Sequence, residues 1–141
     1  MEGLTATPQA AAGAALDPAQ RQQVAELKAR DREVRSHEQA HLNAAGPYAQ
    51  GVSYGYEKGP DGRRYAVTGE VAIDASEVAG DPQATLEKAE QIHRAALAPV
   101  EPSAQDRRVA AEAIAMANRA RQQLLREAPE QQALTGSASG S

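Results

Sequence analysis

Cysteine is absent from the 141 residues, and so are phenylalanine and tryptophan. The first absence excludes disulfides, thiolate metal ligands and cysteine nucleophiles. The other two, with only four tyrosines, remove the large side chains that dominate most cores. Hydrophobic residues make up 41% of the chain, but more than half of them are alanine, and Leu, Ile and Val together number only 20. That share is low for a globular chain and predicts a thin core. A basic stripe is also missing. The net charge is −4, and the arginines at 30, 32, 35, 107 and 108 are interleaved with acids, which reads as solvated helix faces and excludes nucleic acid as a partner. Long apolar runs are lacking too. The uncharged stretch from Gly3 to Leu16 is rich in Ala, Thr, Gly and Pro, too short and too polar for a membrane span. With Glu2 ahead of it there is no pattern of a secretory signal. The expected location is therefore the cytoplasm, with export by an unconventional route left open.

What is present is a set of clear element boundaries. Residues 1–16 are expected to form a disordered lead, because small residues do not repay the entropy of ordering. Asp17-Pro18 pairs an N-cap acid with proline at the first helical position and starts a helix that should run to about Ala45. Val24, Leu27, Val34, Glu38, His41 and Ala45 recur at three- and four-residue spacing and share one face. Gly46-Pro47 ends that helix. A hairpin should follow: Val52, Tyr54 and Tyr56 alternate in one strand, Gly59-Pro60-Asp61-Gly62 turns, and Arg64 to Asp74 returns with Tyr65, Val67, Val71 and Ile73 on one side. Asp81-Pro82 starts a second helix to about Leu97, with Leu86, Ala89, His93 and Leu97 as its inner stripe. Ser103-Ala104-Gln105-Asp106 resembles a capping box and opens a third helix to about Arg126, with Val109, Ile114, Met116 and Ala120 among its apolar residues. The domain is expected over 17–127, followed by a disordered tail, 128–141, rich in Gln, Ser and Gly.

One motif carries chemistry: His37-Glu38-Gln39-Ala40-His41. Four-residue spacing within a helix turns both imidazoles to one side, where they can bind a single Zn²⁺. Glu38 lies about a hundred degrees round the helix, placed to take a proton from a zinc-activated water and pass it to a leaving amine. A catalytic zinc site needs a third protein ligand and one open position. Glu70 is the first candidate, mid-strand and next to Gly69, which permits close approach of the backbone. His93, on its helix stripe, is the second. Asp74 is the third, as ligand or as a carboxylate orienting a ligand histidine. Tyr54, Tyr56 or Tyr65, with Tyr65 foremost, could donate to the developing oxyanion.

Several segments together resemble a known family. Arg30-Asp31-Arg32-Glu33-Val34-Arg35 leading into the histidine motif, Gly59-Pro60-Asp61-Gly62, Tyr65-Ala66-Val67 with Gly69-Glu70-Val71, Asp81-Pro82, and Ala98 through Arg107 are similar to the SprA-related family over about residues 20–125. The resemblance implies a bacterial zinc metalloprotease, maps His37, Glu38 and His41 onto a zinc site, and favours Glu70 over His93. Thr68 departs from it, standing where a glycine is expected.

The expected architecture is α+β: a long helix bearing the motif on a small antiparallel hairpin, then two further helices, with a zincin-like metal site. The expected activity is zinc-dependent endopeptidase action on a protein or peptide substrate. Two rivals stand beside it. The first is a non-catalytic domain stapled by zinc, for which the thin core argues. The second is a helical interaction module with incidental histidines.

Overall fold

A computed structural model describes the backbone of residues 15–139 and the side chains of residues 15–128. The order is α1 (Pro18–Ala45), a single 3-10 turn (Gly46–Tyr48), β1 (Ala49–Lys58), β2 (Arg64–Ile73), α2 (Pro82–Ala96) and α3 (Ala104–Ser139). The fold is α+β, with three helices and one two-stranded antiparallel sheet. The expected lead falls almost wholly on residues 1–14, outside the described residues. No helix among the described residues is long and apolar enough to cross a membrane.

The chain divides into two compact units, and the cut falls within α1. The first unit joins α1 up to Gln39 with Gly51–Ala72. Asp17 and Gln20 close a reciprocal box at the start of α1: the Gln20 amide donates to Asp17 Oδ1 at 2.8 Å, and the Asp17 amide donates to Gln20 Oε1 at 3.0 Å. Val24 and Leu27 of the helix bury against Tyr65, with Leu16 and Val67 beside them. Asp31 accepts the Ala66 amide at 2.7 Å, and Arg30 donates to the Val67 carbonyl at 3.1 Å, so α1 side chains satisfy hairpin backbone. The Ala66 amide, then Arg35, holds the Asp31 carboxyl below its ordinary range. Gly62, at φ +81°, makes the expected turn, and its amide donates to the Gly59 carbonyl at 3.0 Å. From Val67 to Ile73 half-buried and exposed residues alternate along β2, as the period of two requires. Thr68 has its place opposite Gly55: a Cβ on Gly55 would collide with the Thr68 hydroxyl.

The second unit joins Ala40–Gln50 with everything from Ile73 onward. Gly46, at φ +56°, terminates α1, and Gln91 of α2 donates to the Ala44 and Ala45 carbonyls at the helix end at 3.3 and 3.1 Å. Asp81 caps α2 as expected, accepting the Ala84 amide at 2.9 Å. The core is Ala89, Ile92, Ala113, Met116 and Ala117, with Tyr48, Ile73, Leu86 and Val109 packed on it. Alanine faces let α2 and α3 approach closely. Ile92 is the one large side chain fully buried among the described residues, and burial of that size is worth about 1.5–3 kcal/mol.

The buried stripe of α2 is therefore Thr85, Lys88, Ala89, Ile92, Ala95 and Ala96, rotated from the expected one. His93 is half-buried, and Leu97 is exposed. The phase differs because two polar residues occupy inner positions with partners: Lys88 pairs with Asp74 at 3.2 Å, and the Thr85 hydroxyl bonds Val78 and Asp81 backbone. On α3 the alanines take the core, and Ile114 is 48% exposed. This helix continues past Arg126 and through Pro129 to Ser139. The glutamines, alanines and glutamates around Pro129 favour helix, whereas the expected tail rests on Gln, Ser and Gly content. Residues 140 and 141 lie outside the described residues.

Candidate metal centre

All six residues of the expected α1 stripe are buried, and two of them, Glu38 and His41, are polar and only 4% exposed each. Burying such groups is costly unless partners compensate. For His41 the partners are explicit. Its Nδ1 lies 2.8 Å from the Ala95 carbonyl oxygen. A carbonyl only accepts, so Nδ1 carries the proton. In a neutral ring Nε2 then presents a lone pair, and 3.0 Å from it stands Oδ1 of Asp106, which also only accepts. Two acceptors do not hold one another at that distance. The contact calls for a cation, either a proton that makes the ring an imidazolium or a metal ion that takes both lone pairs.

His37 stands one turn earlier on the same continuous helix and is half-buried. His37, His41 and Asp106 each offer a ligand atom, and these atoms lie within 4.8 Å of one another. The group could hold a metal ion. Two imidazoles and a carboxylate suit zinc, and the 3.0 Å edge between His41 and Asp106 is near the edge of about 3.4 Å that bonds of about 2.1 Å make in a tetrahedron. The Nδ1 contact to a backbone carbonyl is the usual arrangement behind a ligating histidine, since it fixes the tautomer and aims Nε2.

Asp106 is the residue missed by the sequence reading of the site. There it served only to cap α3, and it does so: the Asp106 amide donates to Ser103 Oγ at 3.0 Å, and the Ser103 amide donates to Asp106 Oδ2 at 2.9 Å. The cap consumes one carboxylate oxygen and leaves the other toward His41.

The other candidates lie elsewhere. Glu70 is exposed and is not a member of the three-residue group. The pleat explains why: Gly69 sits against Glu38, and the next residue along the strand points to the opposite face. The close approach expected of Gly69 is real, but its beneficiary is Glu38. His93 is half-buried on α2 and is not in the group. Asp74 is engaged by the Ser76 hydroxyl and amide and by Lys88, which together bring its carboxyl down to about 2. Tyr65 donates its hydroxyl to Asp61, and that bond raises the phenol above its ordinary value.

A Cβ built on Gly69 would stand 2.8 Å from Glu38 Cγ and 3.1 Å from Tyr54 Cδ1. Gly69→Ala should therefore displace Glu38 and lower stability by about 1–3 kcal/mol, the usual cost of overpacking. Denaturant melts of the two proteins measure this, and equal midpoints would show that Glu38 is not seated there.

No curated protein and no solved structure matches the chain. A family model does, over residues 6–138, nearly the whole length. The chain belongs to the SprA-related family.

Proposed function

We propose that this protein is a zinc-dependent endopeptidase in which His37, His41 and Asp106 hold the metal and Glu38 is the general base. The observation that supports it most is the 3.0 Å approach of His41 Nε2 to Asp106 Oδ1, with a buried Glu38 on the same helix as His41. Three protein ligands would leave a fourth position open. When bound, zinc supplies Lewis acidity: it makes water acidic near neutral pH and polarises a carbonyl.

The residues of the chain supply the rest. Glu38 takes the proton of the attacking water and delivers it to the amine as the peptide bond breaks. Ala95 keeps the His41 ring in one tautomer and one orientation. Asp106 contributes a negative charge that offsets the metal's. The substrate is an extended peptide. Among the described residues β1 pairs with β2 alone, and its outer edge is where an extended chain would add, a common way to bind such chains.

Untagged protein should hold one zinc per chain by elemental analysis and should hydrolyse members of a quenched fluorescent peptide library, with chelator abolishing the activity and zinc restoring it. A chain without zinc, whose melting temperature answers to neither zinc nor chelator, would rule the proposal out. One observation favours a second reading, a zinc-stapled domain without catalysis: Ile92 is the one large side chain fully buried among the described residues, so a metal could supply folding free energy that the core does not.

A further inference from the structure

The carboxylate of Asp106 faces two ways. Oδ2 accepts the Ser103 amide at 2.9 Å, while Oδ1 lies 3.0 Å from His41 Nε2. The box is reciprocal, since the Ser103 hydroxyl accepts the Asp106 amide at 3.0 Å. A helix N-terminus leaves its first amides without intrahelical partners, and a capping box usually satisfies two of them and does nothing more. Here the acid at the third position of the helix is also the group that meets His41.

We infer that Ser103 is a positioning residue for the metal centre, one that presents Asp106 through a single oxygen. This inference rests on the metal reading proposed above and adds a residue to it. A free carboxylate can bind a cation through one oxygen or through both. With Oδ2 held by an amide of the helix start, chelation through both oxygens would break the cap. The box therefore biases Asp106 to bind through Oδ1 alone. His37, His41 and one oxygen of Asp106 then make three ligand atoms, and the remaining position stays open to water, the feature that separates a catalytic zinc site from a closed structural one. The box also couples metal to fold, because the aspartate that binds zinc is the aspartate that starts α3. Partners of this kind behind a ligand typically matter by 10–100-fold in metal affinity.

The experiment uses the full chain and two metals. Zinc affinity is measured by competition with a chromophoric chelator, and cobalt is substituted to read coordination number from its visible bands. Ser103→Ala removes the hydroxyl half of the box, the bond to the Asp106 amide that fixes the turn and so aims the retained Ser103 amide at Oδ2. Ser103→Thr keeps a hydroxyl that can cap. Asp81→Ala removes the corresponding cap of α2, where the Asp81 carboxylate accepts the Ala84 amide at 2.9 Å, and reports what the loss of a helix cap does by itself. Ser103→Ala is expected to weaken zinc binding about tenfold or more and to shift the cobalt bands. Ser103→Thr should restore both, and Asp81→Ala should leave both as in the parent. Parent-like affinity and parent-like cobalt bands in Ser103→Ala, with the parent binding zinc normally, would overturn the inference alone. An equal loss in Asp81→Ala would also overturn it, by assigning the effect to general loosening. Failure of the parent chain to bind zinc or cobalt would overturn the metal reading, and this inference with it.

Discussion

Replacing Glu38 by glutamine is expected to reduce peptide hydrolysis by about 10²–10⁴-fold, the usual contribution of a positioned acid–base group, while zinc content stays at the parent level. Glutamine has nearly the same shape, so the contact with Gly69 survives. What it lacks is a carboxylate that can take a proton. Stability supplies an independent sign. Glu38 is 4% exposed, so a change in its charge is felt in stability as well as in turnover. A residue chosen for folding would be expected to lose stability on substitution. A residue retained for chemistry should be neutral or gain, as functional groups often do when removed. Parallel melts, zinc analysis and turnover on one peptide thus separate three cases. Lost turnover with intact zinc and unchanged or higher stability supports the general base. Unaltered turnover eliminates Glu38 from the mechanism. A parent protein that binds zinc but has no turnover to lose leaves the zinc-stapled domain as the better description.

Much of the frame was legible because its signals are local. Asp17-Pro18, Asp81-Pro82 and Ser103 with Asp106 each cap a helix where the sequence places one, since a cap needs only residues within one turn. The shared face of the α1 stripe followed from spacing alone, and all six of its residues, Glu38 and His41 included, are buried. The phase of α2 did not. Lys88 and Thr85 are inward because Asp74 and the backbone near Val78 receive them, and those partners come from the chain before the helix. A hydropathy pattern scores such residues as outward. The third member of the candidate metal-holding group was obscured for a different reason. Glu70 had a glycine beside it and a place in the family pattern, and Gly69 does mark a close approach, but the pleat gives that approach to Glu38 and turns Glu70 to solvent. Asp106 already had a complete local explanation as a capping residue. Its other oxygen acquires a role only when α3 packs on α2 and the Ala95 carbonyl fixes the His41 ring. The signal available was that Asp106 lies in the segment from Ala98 through Arg107, one of those that carry the family resemblance.

Asp106→Ala should lose zinc affinity by more than the roughly 10–100-fold that removal of an outer partner costs, and so should His37→Ala and His41→Ala. Glu70→Ala and His93→Ala should bind zinc as the parent does. The difference is also visible in melting. At a zinc concentration of about 100 times Kd, binding to the native state alone adds about 2.7 kcal/mol. For a domain of this size that moves the melting temperature by several degrees, and the three ligand variants should lose the response. Asp106→Ala carries a second cost, because it removes half of the capping box, typically about 1 kcal/mol. Asp106→Asn separates the two effects. Asparagine caps helices well and so should recover most of the helix stability, but its neutral amide is a poor substitute for a carboxylate at a zinc ion. Parent-like melting without zinc, joined to a lost response with zinc, is the expected behaviour of Asp106→Asn. Should that variant keep the zinc response while Glu70→Ala loses it, the third ligand would be Glu70, and the 3.0 Å contact between His41 and Asp106 would be an ion pair that ties the start of α3 to α1.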